Sequence, residues 1–136
     1  MQIAVVAVPG LTALDVVGPY EVFRYLSGAE IRFVWHETGP VVADSGMLAL
    51  GVTHSFDETP QPDIVVVPGS GTAIAVAAED PKLRDWLVRV HRTTAWTVSV
   101  CGGALVLAAA GLLDERHVAP HWQALAALRT FGAGPC

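Results

Sequence analysis

The chain has 136 residues, with 8 basic and 13 acidic side chains and a formal net charge of −5. Hydrophobic residues make up 52% and charged residues 15%, which excludes intrinsic disorder. The acidic balance leaves no basic footprint for nucleic acid or an anionic membrane. The length fits one domain over residues 1–136, and so few charges leave apolar surface for a partner chain to cover.

The N-terminus, Met1-Gln2-Ile3, lacks a basic n-region, so the apolar run over 3–8 reads as a buried first strand and not as a signal peptide. Pro9-Gly10 ends it. Residues 12–26 follow with Leu14, Val17, Val22 and Leu26 and an internal Pro19, and a helix is expected to start there. Residues 31–35 form a second strand. Val41-Val42-Ala43 and residues 47–50 flank Asp44-Ser45-Gly46, which fits a hairpin. Residues 63–67 are the clearest buried strand and run into Pro68-Gly69-Ser70-Gly71. Asp80-Pro81 marks a helix start, with Asp as cap and Pro in the first turn. Leu83, Trp86, Leu87 and Val90 then share one face.

Residues 93–113 contain no charge over 21 positions, a length that could cross a bilayer. Their character changes midway. Residues 95–100 are β-prone, Cys101-Gly102-Gly103 is a break, and 104–110 are helix-prone. A strand, a sharp turn and a buried helix account for this better than a span. A last helix is expected over 121–131, with Trp122, Leu125, Leu128 and Phe131 at helical spacing and Gly132 as its stop. Apolar strands alternating with helices predict an α/β domain, a parallel sheet with helices on both faces.

Cys101 stands out chemically. A residue at a tight strand-to-helix turn projects above the carboxyl edge of the sheet, where open α/β sheets bind ligands. A helix N-terminus is expected to lower its thiol pKa, and Gly102 and Gly103 permit close approach. The alternative is a small core cysteine. Asp15 follows the first strand's loop and is an acid/base candidate or a helix cap. Glu21 reads as a solvated helix residue. Gly69-Ser70-Gly71 offers either backbone amides for an oxyanion or a simple turn. His121, at the start of the last helix, either positions a substrate or caps. His36, His54, His91 and His117 are scattered without metal-site spacing. Cys136, the terminal residue, has no assigned role. Two cysteines make no disulfide framework, so a reducing, cytoplasmic location is the default.

Residues 9–22, Phe33-Val34-Trp35 with Pro40-Val41-Val42, residues 65–69, and above all residues 99–113 followed by His121-Trp122 resemble the DJ-1/PfpI superfamily. Within it the likeness is to the branch of isonitrile hydratases and the amidotransferase-like domains of GlxA-type regulators. The resemblance implies a flavodoxin-like fold with a strand–nucleophile elbow–helix unit. It implies Cys101 as nucleophile, Asp15 as its carboxylate partner, and substrate or oxyanion contacts at Gly69, Ser70, Gly102 and His121. The implied reaction is hydration of an isonitrile to an N-substituted formamide through a covalent thioimidate, with no metal or organic cofactor. A glyoxalase or hydrolase activity and a non-enzymatic ligand or redox sensor using Cys101 are the alternatives. The resemblance also implies a homodimer, and a chain lacking the C-terminal strands and helix of the family fold. Two positions depart from the family pattern: Gly102 stands where isonitrile hydratases have Thr, and Ser70 interrupts the usual Gly-Gly pair.

Overall fold

The structure, a computed structural model, describes residues 1–135; Cys136 lies outside the described residues. In chain order the main elements are β1 (Gln2–Val6), α1 (Ala13–Phe23), β2 (Glu30–Trp35), β3 (Gly39–Val42), β4 (Ala49–Val52), β5 (His54–Ser55) and β6 (Ile64–Val67). There follow α2 (Ile74–Glu79), α3 (Pro81–His91), β7 (Trp96–Ser99), α4 (Gly103–Ala109), β8 (His117–Val118), α5 (Leu125–Thr130) and β9 (Gly134–Pro135). Five strands form one sheet in the order β5-β2-β1-β6-β7, and every pairing in it is parallel. This is the parallel α/β sheet that the alternation of apolar strands and helices predicts, in the flavodoxin-like arrangement that the resemblance implies.

Parallel strands need crossover connections, and here the helices together with the β3–β4 hairpin cover the sheet on both faces. Side chains alternate along each strand. Ala4, Val6, Val34, Val65 and Val67 therefore point to one face, packed with residues of α2, α3, α4 and α5. Ile3, Val5 and Val66 point to the other, against Leu11, Val16 of α1, and Val41 and Val52 of the β3–β4 hairpin. The register holds these layers level: Val5 pairs with Phe33 on one side and Val66 on the other.

α3 follows its sequence signals closely. The Asp80 carboxylate accepts from the Leu83 amide at 2.8 Å and Pro81 occupies the first turn. Leu83, Trp86, Leu87 and Val90 are all buried, each contributing about 1.5–3 kcal/mol of apolar transfer free energy. The Trp86 indole donates to the Thr59 carbonyl at 2.9 Å, so its polar end is satisfied inside the core. Glu21 is solvated and pairs with Arg24.

The uncharged stretch over 93–113 is the strand β7, the turn and α4; no helix among the described residues is long and apolar enough to cross a membrane. Its strand is less buried than its composition suggests. β7 is an edge of the sheet, and Trp96 is 69% exposed. Residues 71–79 form a 3₁₀ turn and α2 where sequence alone offered only a turn.

Candidate functional site

The cleft lies at the carboxyl edge of β1, β6 and β7, and three short segments build it. The first leads from β6 through Pro68 and Gly69, the second from β7 through Cys101, and the third from β1 into α1. Gly103 packs directly on the backbone of β6: a β-carbon there would lie 2.0 Å from the Val67 carbonyl oxygen. That same oxygen accepts the Val100 amide at 2.9 Å. α4 is thus pressed against the end of β6, and the chain between β7 and α4 must turn in very few residues. Cys101 takes the strain, with φ +53° in the left-handed region, which is unfavourable for a residue with a β-carbon. The elbow expected from Cys101-Gly102-Gly103 is present, and its Cys101 side is exposed.

Asp15 sits in the first turn of α1 but its carboxylate does not cap that helix. Oδ2 accepts from the Gly69 amide at 3.1 Å, while the Gly69 carbonyl accepts from the Thr12 amide at 3.0 Å. Gly69 is therefore tied to the start of α1 by both backbone groups. A β-carbon on Gly69 would meet Asp15 Oδ2 at 2.8 Å, Cys101 Cβ at 3.1 Å and the Gly102 nitrogen at 3.1 Å. Only glycine lets the carboxylate and the cysteine come together at this point. The Gly69 amide, named from sequence as a possible oxyanion donor, is engaged by Asp15.

The electrostatics of Cys101 differ from the sequence expectation of a lowered thiol pKa. Partial desolvation of the sulfur is the largest cause and pushes the thiol up, although the residue as a whole is exposed. The negative charge of Asp15 and its hydrogen bond act in the same direction, against a hydrogen bond from the Gly102 amide that favours the thiolate. α4 spans only 7 residues. Its N-terminus faces a carboxylate as well as the sulfur. Burial and Asp15 together thus favour the thiol over the thiolate at Cys101.

His121 is joined to the elbow through its backbone, its amide donating to the Cys101 carbonyl at 3.2 Å. Its Nδ1 accepts from the Gln123 amide at 3.4 Å and caps a 3₁₀ turn over Trp122–Ala124 that precedes α5. The last helix is thus shorter than the periodicity over 121–131 implies.

These pieces enclose a cleft of about 380 Å³ lined by Gly69, Ser70, Cys101, Gly102 and His121. All five come from the residues singled out in the sequence, and Asp15 joins them from behind Gly69. Sequence reasoning missed the apolar wall of Ile74, Leu105 and Ala124, and also Thr12 and Gln123. Ile74 belongs to the helix that the sequence did not reveal. The Thr12 hydroxyl donates to Asp44 Oδ2 at 2.8 Å, pinning the hairpin turn beside the cleft. A threonine just before a helix is the signal that could have drawn attention to it, although its side chain makes no cap. Among the described residues no group of three or more His, Cys, Asp or Glu side chains is arranged to hold a metal ion.

Comparison with known proteins follows the geometry. The DJ-1/PfpI family matches residues 1–134. An isonitrile hydratase of Pseudomonas putida is 35% identical over 135 residues, covering 99% of this chain and 58% of that protein. A Streptomyces lividans protein, described as an uncharacterized protein in the cpoL 5′ region, is 33% identical over 93% of this chain and 92% of its own length. The transcriptional regulator CdhR of Pseudomonas aeruginosa is 30% identical over 127 residues, 37% of its length. Among solved structures, a ThiJ/PfpI family protein from Pseudomonas syringae superposes with a TM-score of 0.94 at 35% identity, over 99% of this chain and 56% of that one. Schizosaccharomyces pombe DJ-1 shares the fold at a TM-score of 0.81 and 16% identity.

Proposed function

This chain belongs to the DJ-1/PfpI family, and from that premise we propose that it hydrates isonitriles to N-substituted formamides through a thioimidate on Cys101. The observation that carries the reading is the pairing of a strained, exposed Cys101 with the Asp15 carboxylate across Gly69. The 35% identity to an isonitrile hydratase supports it.

The proton balance of the pair suits this chemistry. The Cys101 thiol gives its proton to Asp15 as sulfur attacks the terminal carbon of R–N≡C. The carbon anion formed then takes that proton from Asp15, leaving the thioimidate R–N=CH–S–Cys101 and a carboxylate again. Water adds to the same carbon and gives a proton to the carboxylate, which passes it to the nitrogen. The tetrahedral adduct R–NH–CH(OH)–S–Cys101 loses its hydroxyl proton as the C–S bond breaks. The electron pair leaves with sulfur, which is reprotonated, and the formamide R–NH–CHO departs. The sum is one isonitrile and one water per formamide. Covalent catalysis splits one difficult addition into two easier ones, and an acid/base positioned beside the sulfur serves both halves. The cleft's apolar wall of Ile74, Leu105 and Ala124 suits the R group.

The test is formamide production from cyclohexyl isonitrile by wild type, Cys101→Ala and Asp15→Asn. Wild type is expected to turn over, Cys101→Ala to be inactive, and Asp15→Asn to fall by at least about 100-fold, the usual scale of a lost general acid/base. Turnover that survives Cys101→Ala sinks the mechanism. The partial match to CdhR favours a second reading, a ligand-sensing domain. Isonitrile bound by wild type and Cys101→Ala alike, without formamide from either, is the outcome that would select it.

A further inference from the structure

Ser70 lines the cleft and carries an unused polar group buried beside it. The residue is 1% exposed, and its Oγ has no hydrogen-bond partner among the described residues. It also stands at the N-cap position of the 3₁₀ turn Gly71–Ala73, where a serine hydroxyl commonly accepts a backbone amide, yet it makes no such bond. Its carbonyl is used, accepting the Ala73 amide at 2.8 Å. A buried hydroxyl left unpaired is unfavourable, and a native protein seldom keeps one without a reason. Ser70 follows Gly69, whose amide is taken by Asp15, and it lines the same cleft as Cys101, Gly102 and His121.

We propose that the Ser70 hydroxyl is the group that binds the oxygen delivered by water, in the tetrahedral adduct and in the formamide product. This rests on the reading of the site as an isonitrile hydratase. An isonitrile has no oxygen, and its one acceptor, the terminal carbon, is the atom that Cys101 attacks, so before water adds there is no oxygen for the hydroxyl to bind. Oxygen arrives only in the second half of the reaction, when water adds to the thioimidate carbon. A donor that meets its oxygen only at that step stabilises the later species without equally stabilising the substrate, which is the condition for raising a rate. Ser70 is therefore tied to thioimidate breakdown and product binding, not to the attack of sulfur.

The experiment is calorimetric titration of N-cyclohexylformamide into wild type, Ser70→Ala and Ser70→Gly, beside turnover of cyclohexyl isonitrile and intact-mass detection of the Cys101 adduct. Loss of one hydrogen bond to a ligand is expected to weaken formamide binding by about tenfold in both variants. The thioimidate should form at the wild-type rate in Ser70→Ala and accumulate, because its breakdown is slowed by a similar factor. Thermal unfolding of Ser70→Ala should occur at or above the wild-type temperature, since an unpaired buried hydroxyl has been removed. Equal formamide affinity in the three proteins overturns the proposal, as does wild-type breakdown of the adduct in Ser70→Ala, and so does a wild type that binds no formamide. A wild type that makes no formamide but binds it about tenfold more tightly than the variants contradicts the hydratase reading alone and keeps the Ser70 contact.

Discussion

At Cys101 two demands on one residue meet. The elbow holds it at φ +53°, a conformation that costs an ordinary side chain about 1–2 kcal/mol, and its sulfur is brought against a carboxylate. The thiol is accordingly held above its ordinary range, first by desolvation and then by Asp15. Alkylation by iodoacetamide, followed by mass spectrometry of the Cys101 peptide, reads this directly. The sign is fixed by the cause. A raised thiol loses its proton later, so the alkylation rate should still be rising with pH where a free cysteine has levelled off. Asp15→Asn removes the negative charge and should move the midpoint to lower pH. A midpoint below that of a free thiol would show that the Gly102 amide outweighs desolvation and Asp15. Gly69 provides the complementary test. Its alanine variant places a β-carbon 2.8 Å from Asp15 Oδ2, so Asp15 must move away from Cys101. Formamide production should fall by at least about 100-fold, as for loss of the proposed general acid/base itself, while far-UV circular dichroism stays that of wild type. Full activity would mean that the close approach of Asp15 is not needed.

Among the elements, the end of β6, the elbow and α4 act as one rigid unit. The unit depends on Gly103, where a β-carbon would lie 2.0 Å from the Val67 carbonyl oxygen. Backbone and not a flexible side chain is in the way, so Gly103→Ala must push α4 off the sheet. The expected loss is about 3 kcal/mol, at the upper end of the usual range for overpacking, measured as a drop in the urea midpoint; an unchanged midpoint would contradict the packing. This part of the site was legible in the sequence, because a strand, a Cys-Gly-Gly break and a small-residue helix carry their own local signals. α3 was legible for the same reason, through Asp80, Pro81 and four apolar residues on one face. α2 was not. Residues 74–79 are Ile-Ala-Val-Ala-Ala-Glu, too short for a helical period to declare itself, and the helix is held by packing of Ala77 and Ala78 against the core. The lowered thiol pKa expected from a helix N-terminus failed for a related reason. It counted the helix and could not count Asp15, whose approach to Cys101 is set by a tertiary hydrogen bond to Gly69 over 54 positions of sequence.

For the whole molecule, the five-stranded parallel sheet brings three loops far apart in sequence to one carboxyl edge. Asp15 follows β1, Gly69 and Ser70 follow β6, and Cys101 follows β7; His121 is then fastened to the elbow by the Cys101 carbonyl. Topology, and not any single motif, brings a cysteine, a carboxylate and an apolar cleft together out of them. The composition that first marked the chain as apolar takes on a more specific meaning here. β1 and β6 are buried on both faces of the sheet, while Trp96 on the edge strand β7 stays 69% exposed. The chain spans 58% of the isonitrile hydratase and 56% of the Pseudomonas syringae protein that it resembles, so the activity is tested on the 136 residues themselves. The most direct measurement is rapid acid quench of this chain with excess cyclohexyl isonitrile, followed by peptide mass analysis. The account predicts a transient adduct, heavier by the mass of one isonitrile, on the Cys101 peptide of wild type and absent from Cys101→Ala. Formamide released with no adduct at Cys101 at any time, and at equal rates from both proteins, would contradict it.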